Sequence, residues 1–304
     1  MIRACLTLAL AAAGVRSSLA NLSGMGPFHP TVAVTWSATN ELPPIVTIYK
    51  TVLTNFSQSV LSNIMSLASF KPVDIVSQNT NLIVFEGRLN NVLVRSLKIS
   101  PTQGTIEYFE TQTNYSTIHG VPSSDKTVNL AFNYLFMLSG DTNQVTPKAK
   151  AIREGTVETY NKPNGDMLSN KMYSRGTTLY RQLDGIQEKG SFMQIDFGND
   201  AKVNYLSLHW RLLLPFKLCK TATADEIVGF INNGRSLIYL DPTGKNAAPV
   251  RAKTLTITKA TPVYRTRNAP DFVLAFSDLE VVADIGTTNE ESFYVCCPIC
   301  PESE

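Results

Sequence analysis

Hydrophobic positions along this chain change period several times, and each change marks an element. Ile45, Ile48, Val52, Phe56, Val60, Ile64 and Leu67 recur at steps of three and four. That spacing predicts one amphipathic helix, entered through Pro44. Alternating stretches at 74–77, 81–86, 92–99 and 105–111 then predict strands, the last following a turn at Pro101–Gly104. Val128, Ala131, Leu135 and Leu138, flanked by Phe132 and Phe136, predict a second helix that Ser123 or Ser124 caps and Gly140 stops. Strands are expected again at 156–160, 176–183, 192–197 and 203–213, with Gly198–Asp200 turning the last two into a hairpin.

The third helix carries the sharpest local signal. Thr223 and Glu226 spell a capping box, Ile227, Val228, Phe230 and Ile231 follow, and Gly234 suits a left-handed terminus. Strands follow at 237–240, 254–264, 272–282 and 292–296. A helix followed by antiparallel strands thus recurs three times, and the simplest burial lays each helix across its own meander. The expected fold class is α+β, built of consecutive helix-plus-antiparallel-meander units. These would span 45–118, 119–215 and 216–304, after an irregular, proline-bearing arm at 21–44.

The first 20 residues stand apart. Arg3, the apolar run Leu6–Val15, and the small residues Ser18 and Ala20 have the anatomy of a secretory signal peptide. No later stretch reaches the roughly 18 apolar residues that a membrane helix needs. A secreted, extracellular protein beginning at Asn21, with no membrane anchor, is expected. Asn21, Asn55 and Asn114 each head a glycosylation sequon.

Composition narrows the partners. Hydrophobic residues make up 43% of the chain and charged residues 17%, an ordinary globular balance. A net charge of +2 with no basic stripe argues against nucleic acid.

Beyond the leader the cysteines are Cys219, Cys296, Cys297 and Cys300. In an oxidising compartment they allow several pairings. Joining adjacent Cys296 and Cys297 would be strained, so Cys219 is expected to pair with one member of the tail cluster and staple the last strand. Cys297 and Cys300 also spell Cys-Pro-x-Cys, but too little chain follows for the helix that would activate the first thiol. Zinc would need adjacent cysteines on one tetrahedral ion. No metal or cofactor is expected.

Catalytic signatures are sparse. His29, His119 and His209 have no metal-binding spacing, and no nucleophile elbow or phosphate loop occurs. Asp241–Lys245 reads as a turn. Loosely grouped carboxylates, Asp184, Glu188 and Asp196 or Asp278, Glu280 and Asp284, could serve a carbohydrate-active hydrolase. Tyr173, Tyr180, Tyr205 and Trp210 fall on neighbouring expected strands and could line a groove, with Asp184 beside it.

The stretches 179–186, 191–197 and 203–210 resemble a known pattern. They run as an aromatic-x-Gln-x-x-Gly-Ile strand, a strand ending in Ile-x-Phe, and a Gly/Asn turn before a final strand. This is similar to PepSY-like segments, found in protease propeptides and in extracytoplasmic regulators of the YycH/YycI type. The resemblance spans about 122–296 and is specific at 176–210. It implies a PepSY-like unit, with one helix packed on its sheet, acting as an inhibitory, chaperone-like or signalling module without chemistry of its own. No protease domain follows and no anchor precedes, which departs from both groups. The function expected is therefore a non-enzymatic binding or inhibitory module for a protein or peptide. A hydrolase and a structural wall protein are the alternatives.

Overall fold

The computed structural model describes residues 25–53, 56–111, 117–138, 140–147, 151–160, 167–239, 252–266 and 271–301. The leader, Asn21, Asn55, Asn114 and the Asp241–Lys245 turn lie outside the described residues. The N-terminal elements are β1 (Met25–Pro27), β2 (Val34–Trp36), β3 (Ile45–Val52), α1 (Gln58–Leu67), β4 (Ile75–Gln78), β5 (Ile83–Leu89), β6 (Val92–Ser100), β7 (Thr105–Glu110) and α2 (Ser124–Met137). Next come β8 (Ala151–Tyr160), β9 (Met167–Leu183), β10 (Ile186–Phe197), β11 (Val203–His209), β12 (Leu212–Lys220), α3 (Ala224–Asn232), β13 (Leu237–Tyr239), β14 (Leu255–Arg265), β15 (Phe272–Ala283) and β16 (Glu291–Pro298).

Sixteen strands against three α-helices, among the described residues, make this a predominantly β protein and overturn the α+β expectation. The chain divides into two compact units, one formed by Tyr49–Pro215 and the other by the residues up to Ile48 together with those from Phe216 onward. The boundaries fall inside β3 and β12.

In the central unit the strands run in the order β8-β9-β10-β11-β7-β6-β5-β4, every neighbour antiparallel. The pairing of β11 with β7, from Tyr205↔Phe109 to His209↔Thr105, overturns the picture of consecutive meanders. It fuses strands expected in two separate units into one sheet. An isolated meander leaves a strand edge with unpaired backbone groups, and β11 satisfies the edge of β7. The core of this unit gathers Val60 and Ile64 of α1 and Ala131 and Leu135 of α2. Against them lie Leu97, Ile99, Ile106, Leu179, Met193, Ile195, Leu206 and Leu208 of the strands. Each buried Val, Leu, Ile or Met of this set stabilises the fold by about 1.5–3 kcal/mol relative to exposure.

The expected helix from Ile45 is also corrected. Residues 45–52 are strand β3, and the helix starts only after Ser57, whose hydroxyl accepts from the Val60 N–H at 3.3 Å. Ile45, Val46, Thr47, Ile48, Thr51 and Val52 are β-branched, which restricts them in a helix and suits a pleated surface.

In the second unit, β1, β13, β16, β15 and β14 run in that order, antiparallel throughout, and β2 adds to β14 in parallel. Two short strands therefore lie within the segment read as an irregular arm. Helix α3 buries Ile227 and Ile231 completely. Its capping box is formed, with the Glu226 N–H donating to Thr223 Oγ1 and the Thr223 N–H to Glu226 Oε2 at 2.7 Å. Those bonds from Thr223 hold the Glu226 carboxyl below its ordinary range. Cys219 on β12 and Cys300 just beyond β16 form a disulfide with Cα atoms 6.1 Å apart. Cys296 and Cys297 stay outside it and are buried.

Candidate binding site

Strands β9 and β10 close with Leu183 opposite Ile186, which leaves Asp184 and Gly185 as a two-residue loop. Both have positive φ, 51° and 77°. This is the demand of a type I′ hairpin turn, and Asp-Gly is among the sequences that meet it. The turn projects Asp184 toward Tyr49 of β3, whose hydroxyl donates to Asp184 Oδ2 at 2.7 Å. Asn143 and Gln144, in a single 3-10 turn at Thr142–Gln144, join Gln182, Leu213 and Pro215 around the pair. Together they enclose a hollow of about 330 Å³ within the central unit.

A buried charge stands near this hollow. Arg181 is 4% exposed. Its Nε donates to Gln144 Oε1 and its Nη1 to the Arg211 carbonyl, each at 2.6 Å. The guanidinium carbon lies 5.2 Å from the centroid of the Trp210 ring, a cation–π geometry. Burial lowers the Arg181 pKa, while Glu188, Asp141 and Tyr49 act against that loss. Glu188 is 2% exposed, in the irregular stretch of β10 between Gln187 and Phe192. Its Oε1 accepts from the Gly190 N–H at 2.7 Å. Burial pushes the Glu188 carboxyl above its ordinary range, outweighing the hydrogen bonds from Ser191 and Gly190 and the charge of Arg181.

Of the residues singled out by sequence, Asp184 alone lines the hollow. Trp210 packs with the core-facing side chains of the sheet. Tyr180 and Tyr205 lie on the other face, opposite Phe192 and Asp196 respectively. His209 is on that face too, stacked on Phe192 with ring centroids 4.7 Å apart, and burial lowers its pKa.

The carboxylates are dispersed. Asp196 pairs with Arg153, Asp278 with Arg265 at 2.8 Å, and Asp284 accepts the Lys253 and Thr254 N–H groups. Glu188 falls opposite the Tyr180–Gln182 stretch of β9 and Asp196 opposite Gly176, a separation of about four to six residues, roughly 13–20 Å at about 3.3 Å per residue. That exceeds the about 5–10 Å span of a glycosidase pair. Among the described residues no group of three or more His, Cys, Asp or Glu could hold a metal ion.

Sequence reasoning missed Tyr49, Asn143, Gln144 and Gln182. Tyr49 sat inside the expected helix, and the amides carry no pattern. The Asp184–Gly185 dipeptide between two alternating stretches was the signal that could have located the turn.

Strand β12 has an unusual exposure. Within the central unit it presents Leu212 and Leu214, each 49% exposed, and within the second unit Phe216 and Leu218, at 58% and 67%. Leu213 and Cys219 are buried, whereas Pro215 and Lys217 are exposed. Among the described residues β3 is the only strand paired with it. Phe216 keeps one ring contact, with Phe272 at 5.2 Å. No helix among the described residues is long and apolar enough to cross a membrane. No protein-family model and no curated protein matches the chain.

Proposed function

We propose that this chain is an exported, non-catalytic binding module that engages a protein or peptide at the Leu212–Leu214 stretch of β12. The observation that carries the reading is the exposure of Leu212 and Leu214, on either side of buried Leu213, in the central unit. Exposed apolar surface of this kind marks interaction sites. A strand with a single ladder partner can also accept an added strand, whose backbone provides hydrogen bonds and whose alternate side chains enter pockets. The leader pattern at 1–20 and the Cys219–Cys300 disulfide support export. The resemblance of 176–210 to PepSY-like segments supports an inhibitory or chaperone-like role.

The test is capture from culture fluid on immobilised chain, comparing wild type with Leu212→Asp and Leu214→Asp. Both leucines are half exposed, so the variants should keep the wild-type circular dichroism. Wild type is expected to retain a specific protein or peptide, and each variant to retain it about tenfold less. Recovery of background alone, or recovery indifferent to both substitutions, overturns the proposal.

A further inference from the structure

Strand β10 leaves the regular ladder where Glu188 sits. Gln187 pairs with Gln182 and Phe192 with Tyr180, so Glu188, Lys189, Gly190 and Ser191 together oppose Arg181 alone. Such a bulge re-aims side chains that regular pairing would fix. Glu188 is 2% exposed within it. Its Oε1 accepts from the Gly190 N–H, and glycine leaves the room, since a Cβ there would lie 2.7 Å from Oε1. Oε2 is buried with no hydrogen-bond partner among the described residues. A carboxylate with an unpaired oxygen is costly in such a place, and protonation removes its charge.

The cation opposite is engaged elsewhere. Arg181 donates to Gln144 Oε1 and to the Arg211 carbonyl, with its guanidinium beside the Trp210 ring. Glu188 is the foremost charge acting on Arg181, followed by Asp141, next to the 3-10 turn, and Tyr49 of β3. The Arg211 carbonyl shares its peptide group with the Leu212 N–H, the first of β12. In a low-dielectric site an ionised carboxylate outcompetes a neutral carbonyl for the same guanidinium.

We infer that Glu188 and Arg181 form a proton-controlled clamp on the start of β12. With Glu188 protonated, Arg181 holds the Arg211 carbonyl. With Glu188 ionised, Oε2 draws the guanidinium toward itself and releases that carbonyl. Burial raises the Glu188 pKa, so release comes as pH rises through that raised value. The clamp regulates the stretch proposed above for docking and rests on that reading for its purpose, but it is measured on the free chain.

The experiment follows the full chain by NMR from acid to neutral pH, in wild type and in Glu188→Gln, which stays neutral at similar size. It reads the Glu188 carboxyl carbon, the Arg181 Nε and the Leu212 amide. His209 titrates nearby, stacked on Phe192 and influenced by Glu107 and Arg211, and serves as the control. In wild type the Arg181 Nε and the Leu212 amide are expected to shift with the midpoint of the Glu188 carboxyl. Glu188→Gln should lose that step and keep the acid positions throughout, while the His209 step remains. The clamp is overturned if the Leu212 amide does not move with Glu188, or if the same step persists in Glu188→Gln. A partner captured by a chain that lacks the shared step would overturn the clamp and leave the docking reading standing. A shared step in a chain that captures no partner would do the reverse.

Discussion

Gly176 of β9 and Asp196 of β10 face each other in the sheet, and the Asp196 carboxylate occupies the space that a Cβ on Gly176 would need. On the other side of Gly176 lies Arg153 of β8. Its guanidinium reaches Asp196 and Thr178, so an ion pair spans three strands over the glycine. Burial raises the Asp196 pKa, with Arg153 pulling the other way.

Gly176→Ala should therefore destabilise the protein by about 1–3 kcal/mol, the usual cost of forcing atoms into a filled space. Urea unfolding measures it. In the double variant with Asp196→Ala the glycine substitution should cost much less, because the clashing carboxylate is gone. Full additivity of the two changes would show that the contact is not the cause.

Glu188 gives a pH signature. Its folded carboxyl lies above the unfolded value near 4.3, so the folded state holds the proton longer than the unfolded state. The associated stability is fully present below the unfolded pKa and is lost as pH rises through the raised folded pKa. Glu188→Gln should remove this slope and gain on wild type as pH increases toward neutral. Unfolding free energies of the two proteins, measured from acid to neutral pH, test the difference; parallel curves would refute it.

His119 titrates with the opposite kind of partner. Its Nδ1 lies 2.8 Å from the Thr117 carbonyl and its Nε2 2.9 Å from Asp200 Oδ2. The Thr117 contact, then the charge of Asp200, raise its pKa. Its contribution is present below the unfolded value and disappears as pH rises through the folded one. An NMR titration should place the His119 pKa above 6.5, with Asp200→Asn bringing it part-way back. A midpoint at or below the ordinary value would contradict the arrangement.

Cys219 and Cys300 close a loop with a sequence separation of 81. Replacing both by serine should cost about 2–4 kcal/mol, chiefly by freeing the unfolded chain. Thermal unfolding of the double variant measures the loss, and a wild-type sample treated with reductant should approach the same midpoint.

Some of this architecture is legible in the residues. The caps of α2 and α3 appear where Ser123, Thr223 and Glu226 announce them, because an N-cap is settled by contacts within three residues. The strands of the Gly198 hairpin and of 254–282 follow their alternation closely. The segment 45–52 shows the limit of periodicity. Its apolar residues fit a helical step, yet β-branching and the available ladder partners β12 and β15 make it a strand.

The candidate site was legible only at Asp184. Tyr49, its hydrogen-bond partner, is 135 residues away in sequence, and Gln144 and Leu213 reach the hollow from two further elements. No local rule brings such residues together.

The sequence by itself determined the caps of α2 and α3, most strand positions and the pool of cysteines available for pairing, all of which depend on neighbours along the chain. Only the tertiary structure decided that β11 joins β7, that Cys300 rather than Cys296 or Cys297 bridges to Cys219, and that Tyr49 meets Asp184. Those outcomes follow from which distant edges and faces bury each other. Side-chain period is local, whereas the choice of partner is a property of the whole folded chain.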